Sequence, residues 1–226
     1  KVYDTPPIRI GGETFDAIKM EKVDGKPLRD YIDEDETTMR NNKRVIDWFD
    51  VLIDALDYLH NLHKQSDHNT GKALVHRDLK PENLMVRDDG RGFVIIDFGL
   101  CAPVYGEDAM GGGTGAYRPP SVQWIDTSPD VDLFATCVMI HETITGRHPY
   151  ARTRGAVHEM LEDPILDPDL SEGLKSFIEK GLEENKEDRY QTAEELGNAF
   201  RRAIELDYPE LSETTDSISL EPELQM

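Results

Sequence analysis

His76-Arg77-Asp78-Leu79-Lys80-Pro81-Glu82-Asn83 is the stretch on which the reading of this chain turns. Nearly every residue in it has a separate chemical job. The Asp78 carboxylate can accept a proton from an attacking hydroxyl. Lys80 can neutralise a phosphate oxygen, and Asn83 can hold a divalent cation from the same loop. Just downstream, Leu84-Met85-Val86, Asp88-Asp89-Gly90 and Phe93-Val94-Ile95-Ile96 read as strand, turn and strand, delivering Asp97-Phe98-Gly99. Alone, an Asp-Phe-Gly tripeptide is a weak signal. Behind that strand–turn–strand, and after the first motif, it is a strong one.

Outward from this centre the periodicities are mostly clear. Upstream, Val45, Trp48, Phe49, Leu52, Ile53, Leu56 and Leu59 recur at helical spacing, so one face of a long helix is buried. Phe15 to Val23 reads as a strand, with Ile8–Ile10 and the Gly11-Gly12 turn as its hairpin partner. Asp24-Gly25 breaks that strand, and Pro27 suits the first turn of a short helix through Tyr31. Downstream, Leu133 to Ile144 is apolar nearly all round, as a central buried helix is, and Gly146 is a natural stop. Further helices are predicted over Gly155–Glu162, Glu172–Leu182 and Ala193–Leu206, the last opened by a Thr192-Ala193-Glu194-Glu195 capping box. The segment from Asp207 to Met226 holds six acids and no Lys or Arg, which predicts a disordered tail.

The 226 residues suffice for one domain with an ordinary core. A net charge of −21 argues against nucleic acid or an anionic membrane as partner, and reads first as a strongly solvated surface. No apolar run reaches membrane-spanning length. Cys101 and Cys137 are the only cysteines, both in apolar contexts, which fits core packing in a reducing, cytoplasmic compartment. His60, His63 and His68 cluster in and after the long helix, but without supporting Cys or acid spacing they read as a solvated loop rather than a zinc site.

The density of these matches resembles the serine/threonine protein kinase family. The resemblance runs from about Ile8 to Arg202. It implies an α+β, protein-kinase-like fold, a mainly α-helical C-lobe with a short remnant of the N-lobe β-sheet. It implies Mg2+ on Asn83 and Asp97, with Phe98 and Gly99 completing that motif and His76 and Arg77 supporting the loop. Lys80 resembles the residue that contacts the transferring phosphate in serine/threonine kinases, where tyrosine kinases usually carry Ala or Arg. Thr114, in Gly113-Thr114-Gly115-Ala116-Tyr117, matches the threonine that hydrogen-bonds near the catalytic Asp and Lys. Asp132 matches the aspartate that holds the catalytic-loop backbone; the plainer reading, a simple helix N-cap, is compatible with that. Met20-Glu21-Lys22-Val23 resembles the hinge for ATP, with Met20 at the back pocket and the Glu21 and Val23 backbones on the adenine. Glu82 and Glu142 match positions that contact substrate arginines, so a basic acceptor protein is compatible with the chain.

Three departures from the family pattern stand out. The Ala-Pro-Glu ending of the activation segment reads Pro119-Pro120-Ser121 here, so Arg189, at the position that normally pairs with that glutamate, must be re-paired or exposed. Between Gly99 and Gly113 there is no Ser or Thr, only Tyr105, and Glu107 and Asp108 are candidates to stand in for a loop phosphate opposite Arg77. The polar loop from Lys64 to Lys72 is longer than the family's usual link. Nothing upstream of the hinge supplies the Gly-rich loop or the strand lysine. The expected organisation is therefore an N-lobe remnant over 1–23, a C-lobe over 24–206 and a tail over 207–226. On this reading the chain is an N-terminally truncated kinase, inactive in isolation, that transfers the γ-phosphate of ATP to Ser/Thr hydroxyls. The alternative is a pseudokinase-like interaction module.

Overall fold

A helix whose every side chain is buried organises the molecule. Asp130–Thr145 (α3) is buried along its whole length, and Leu133, Phe134, Cys137, Val138, Met139 and Ile140 have essentially no exposed surface. Burial of each such side chain contributes roughly 1.5–3 kcal/mol. Only a helix wrapped on all sides can carry that pattern. Gly146 ends it in the left-handed conformation (φ 69°), donating its N–H to the Glu142 carbonyl at 2.8 Å.

The computed structural model describes residues 2–3, 8–10, 13–15, 19–34, 43–62, 73–90, 92–106, 109–120, 125–153, 156–160 and 163–208. Strands β1 (Val2–Tyr3) and β4 (Lys19–Met20) pair antiparallel, as do β2 (Ile8–Ile10) and β3 (Glu13–Phe15). Of the strand expected over Phe15–Val23, Phe15 ends β3 and Lys19–Met20 form β4, which take different partners, while 21–23 are not strand and 16–18 lie outside the described residues. Strand β5 (Gly25–Pro27) joins β7 (Leu84–Arg87) and β8 (Phe93–Ile95) in an antiparallel sheet of order β5-β7-β8. Strand β6 (Leu74–Val75) pairs with β9 (Ala102–Pro103), which ties the His76–Asn83 stretch to the chain beyond Asp97.

The remaining helices are amphipathic and close over α3. Helix α1 (Leu28–Glu34) follows β5 directly, burying Leu28 and Ile32. Helix α2 (Lys43–His60) buries Val45, Trp48, Phe49, Leu52, Ile53 and Leu56, on the predicted face. Its Trp48 and Phe49 rings meet Phe93 of β8 at 5.7 and 5.5 Å between centroids. Helix α4 (Glu172–Gly181) lies so close to α3 that a Cβ on Gly181 would fall 2.2 Å from the Cys137 sulfur, so only glycine fits there. Helix α5 (Ala193–Asp207) packs on both α2 and α4. Thr192 caps it by accepting the Glu195 N–H at 3.0 Å. The reciprocal bond of the capping box goes one residue further out, from the Gln191 N–H to the Glu195 carboxylate (2.9 Å).

Asp207 closes the last turn of α5, and its carboxylate accepts from the Ser171 hydroxyl and from the Gly173 and Leu174 N–H groups (2.6, 3.2 and 2.9 Å). Orphan donors at the start of α4 are thereby satisfied by an anion from another helix. The helix expected over Gly155–Glu162 is replaced by strands β10 (Ala151–Thr153) and β11 (Ala156–Met160), paired antiparallel. Eight residues make a marginal helix without a packed face, whereas a hairpin satisfies the backbone locally. Among the described residues no helix is long and apolar enough to cross a membrane.

Arg189 is buried and re-paired. Its guanidinium donates to the Asp130 carboxylate at 3.0 Å and to the carbonyls of Glu183 and Glu184 at 2.6 and 2.8 Å. Burial raises the Asp130 pKa, and the Ser128 hydroxyl and Arg189 oppose that shift. Removing one partner of such a pair costs on the order of 3–5 kcal/mol. Asp130→Ala should therefore destabilise the fold by that amount in urea unfolding, and the Asp130→Ala/Arg189→Met double variant should lose less than the two single losses combined. Additive losses would exclude the pairing.

His141, buried inside α3, is held in one tautomer: Nδ1 donates to the Arg147 carbonyl (2.8 Å) and Nε2 accepts the Asp167 N–H (3.1 Å). Burial pushes its pKa down to about 4 from the ordinary 6.5. The unfolded chain binds the proton more readily, so stability present above pH 6.5 is lost as pH falls towards 4, by about 3 kcal/mol for this group. Urea midpoints between pH 7 and pH 4.5 should fall, and the fall should be shallower in His141→Gln.

Candidate active site

The start of α3 fixes the His76–Asn83 stretch. Asp132, fully buried in the first turn, accepts the backbone N–H groups of His76 and Arg77, each at 2.8 Å. Its Oδ2 also receives the His60 Nε2 at 2.9 Å. Burial alone would raise the Asp132 pKa. The His60 hydrogen bond and charge, with His76 and the Arg77 N–H, overcome it, and the carboxyl lies below the usual carboxylate range. His60 is therefore a buried partner of this carboxylate and not part of a solvated loop. His63 and His68 lie outside the described residues.

Arg77 adopts φ 71°, a conformation that costs a non-glycine residue roughly 1–3 kcal/mol. Surrounding bonds over-determine it. Its guanidinium donates to the carbonyls of Asp126, Leu100 and Met110 at 3.1, 3.1 and 2.7 Å. Backbone carbonyls of the segment after Asp97 thus engage this arginine. Glu107 and Asp108, expected to pair with it, lie outside the described residues. The buried Arg118 also donates to the Arg77 carbonyl, at 3.2 Å.

This scaffold presents a close-knit polar cluster. Asp78 Oδ1 accepts the Thr114 N–H and the Thr114 hydroxyl, both at 2.8 Å. Asp78 Oδ2 accepts the Asn83 amide at 3.2 Å and faces the Lys80 ammonium at 3.2 Å. Lys80 also donates to Thr114 Oγ1 at 3.0 Å. Asn83 Nδ2 further donates to the Asp78 carbonyl at 2.9 Å. With its nitrogen engaged twice, the Asn83 side chain keeps its carbonyl oxygen as the acceptor for a hard cation.

Asp97 stands at the end of β8 with φ 60°, exposed, accepting only a long bond from the Gly99 N–H (3.3 Å). Phe98 is also exposed, its ring set edge-on to His76 at 5.1 Å. His76 Nε2 reaches the Ile96 carbonyl at 3.2 Å, bracing the strand that carries Asp97. Among the described residues no group of three or more His, Cys, Asp or Glu side chains forms a metal cage. An amide oxygen with one free carboxylate instead suits magnesium, which keeps waters and phosphate oxygens in its shell. Of the hinge positions, Met20 ends β4, while Glu21 is exposed and Val23 half-buried before β5.

Two participants were not foreseen. Arg29 of α1 reaches Glu82 (3.0 Å) and both oxygens of Glu142 (3.0 and 3.3 Å). Asp130 takes Arg189. Cys101, half-buried beside the loop, has its thiol pushed up to about 12 by burial and by Asp132, so it is no nucleophile.

The protein kinase domain model matches residues 13–200, and the chain belongs to this family. It is 28% identical to a probable serine/threonine-protein kinase PknB of Corynebacterium glutamicum, over 90% of this chain and 33% of the relative. It is 27% identical to a probable serine/threonine-protein kinase of Streptomyces coelicolor, over 86% of this chain and 29% of the relative. Identity to the serine/threonine-protein kinase PknB of Mycobacterium tuberculosis is 30%, over 86% of this chain and 31% of the relative. The chain spans about a third of the length of these curated relatives.

Loss of the Asp132 carboxylate would orphan two backbone N–H groups and His60. Asp132→Ala should lower stability by roughly 3–5 kcal/mol. Hydrogen exchange should rise at the His76 and Arg77 amides well before global unfolding, and unchanged protection there would contradict this anchoring.

Proposed function

We propose that this chain forms the catalytic lobe of a protein kinase that transfers the γ-phosphoryl group of ATP to serine or threonine hydroxyls of proteins. The observation that carries the reading is the mutual bonding of Asp78, Lys80, Asn83 and Thr114. A surface loop has no reason to gather an anion, a cation, an amide and a hydroxyl within hydrogen-bond reach. Phosphoryl transfer needs such a set, for positioning and for charge neutralisation.

Asp78 orients the acceptor hydroxyl and takes its proton, and Lys80 balances negative charge developing on the phosphoryl oxygens. Thr114 donates to Asp78 while accepting from Lys80, and so bridges the two side chains, which also pair directly. Asn83 and Asp97 would hold magnesium, which would supply neutralisation of the phosphate charge. The Glu21 and Val23 backbones at the hinge would bond the adenine, with Met20 behind it. ATP, Mg2+ and reduced thiols at Cys101 and Cys137 all fit the cytoplasm as the working compartment.

The test is phosphate transfer from labelled ATP to a Ser/Thr-bearing protein by the polypeptide expressed from its complete reading frame. Asp78→Asn should lower the rate at least about 100-fold, the usual range for removing a general base, while ATP–magnesium binding by calorimetry persists. Binding without transfer in the unmutated protein would favour an interaction module. Wild-type rates in Asp78→Asn would overturn the assignment.

A further inference from the structure

A cavity of about 730 Å³ lies among side chains that the proposed transfer does not use. Four of the residues lining it are acids: Asp163 ahead of α4, Glu179 in its last turn, and Glu183 and Glu184 just beyond it. Among the described residues no Lys, Arg or His joins them there. The rest of the wall is apolar, made by Leu182, two prolines and the ring of Tyr150.

Asp163, Glu179 and Glu183 make no ion pair among the described residues. The cations near them in sequence are engaged elsewhere. Lys180 donates to Glu195 at 2.7 Å and lies over the Tyr190 ring at 4.7 Å. Arg189 donates to the backbone carbonyls of Glu183 and Glu184 and to the Asp130 carboxylate, so the Glu183 side chain stays outside that pair.

Tyr150 gives the cavity a fixed polar group. Only 1% of the residue is exposed. His148 Nδ1 accepts its N–H at 3.2 Å, and its ring packs on Phe134 of α3 at 5.9 Å between centroids. Its hydroxyl nevertheless has no hydrogen-bond partner among the described residues. A buried hydroxyl without an internal partner must find one in the cavity it lines. Burial raises its pKa, against Arg189 and with Asp163, so it keeps its proton and can both donate and accept.

The disposition of the acids selects the kind of cation. A divalent metal ion needs carboxylates converging on one coordination shell, at about 2.0–2.6 Å. Among the described residues no group of three or more His, Cys, Asp or Glu converges in that way. Acids spread around a cavity, with apolar surface between them, suit instead a long cation whose charges are separated by methylenes. Ammonium groups form charge-assisted bonds to carboxylates, and the methylenes between them cover apolar wall. The volume falls within the roughly 300–1,000 Å³ of small-molecule sites.

We propose that this cavity is a binding site for an aliphatic polyamine, with ammonium groups on the Asp163, Glu179 and Glu183 carboxylates and methylenes over Tyr150 and Leu182. The Tyr150 hydroxyl accepts from an ammonium N–H. The site stands apart from the phosphoryl-transfer reading and holds whether or not the chain transfers phosphate.

The experiment is a calorimetric titration of spermidine into the polypeptide from its complete reading frame, at physiological salt. One saturable site per chain is expected. Glu179→Gln/Glu183→Gln should weaken binding about tenfold or more, as loss of two charge-assisted contacts implies. Both side chains are exposed, so the variant keeps the core intact. Tyr150→Phe, which keeps the ring, should weaken binding at least about threefold. Glu194→Gln/Glu205→Gln removes the same charge from exposed positions of α5 outside the cavity, and should change affinity less than about twofold. Absence of saturable binding to the unmutated protein overturns the inference. So does equal weakening by the two double variants, which marks diffuse attraction by the acidic surface. Undiminished binding in Tyr150→Phe overturns it as well.

Discussion

The buried carboxylate of Asp132 is the constraint on which the site depends. It stands where α3 begins, so its two oxygens share the position of the most deeply packed element in the molecule. By accepting the His76 and Arg77 N–H groups it transmits that position to the loop. Asp78 follows directly, with no side-chain freedom intervening. An isolated buried anion would be expensive, so the fold surrounds it with two backbone donors, His60 and the positive end of the helix. The left-handed backbone of Arg77 is tolerable for the same reason. Its N–H, carbonyl and guanidinium are each engaged, and strain of a few kcal/mol is held by many bonds.

Asp130, two positions earlier, does for the far side of the lobe what Asp132 does for the loop. It binds Arg189 and is bonded by the Ser128 hydroxyl. One turn of helix therefore carries two buried acids that bind different parts of the structure. This coupling explains how the chain dispenses with a glutamate at Ser121. The acid that neutralises the buried arginine arrives from the start of α3 rather than from the end of the activation segment. The penalty of an unpaired buried guanidinium fixes that some acid must be present, but not which one.

Much of this was legible in the sequence, where local periodicity or tight spacing carried the information. The buried face of α2, the all-round burial of α3 and the stop at Gly146 follow from patterns within single elements. Asp78, Lys80 and Asn83 lie within six positions, so their meeting was predictable from the loop itself. What could not be read were partners across the chain that the family resemblance did not supply. Arg29 and Glu142 are 113 positions apart, and Arg189 and Asp130 are 59 apart, with no periodic signal joining either pair. His60 looked like one member of a histidine cluster because nothing in its own helix announces Asp132, 72 positions on. The helix expected over Gly155–Glu162 failed for the opposite reason. Eight residues carry too little pattern to decide between a short helix and a hairpin.

The charge of the molecule can be separated into two scales. A net charge of −21 acts at long range, drawing cationic proteins towards the surface within a screening length of about 8–10 Å at ordinary salt. At contact range the buried Glu142 turns inward to Arg29, which also bonds the exposed Glu82. The same guanidinium joins α1, the catalytic loop, Tyr117 and α3. Removing it would loosen the packing among these elements, so the rigidity of this side of the lobe rests in large part on one side chain.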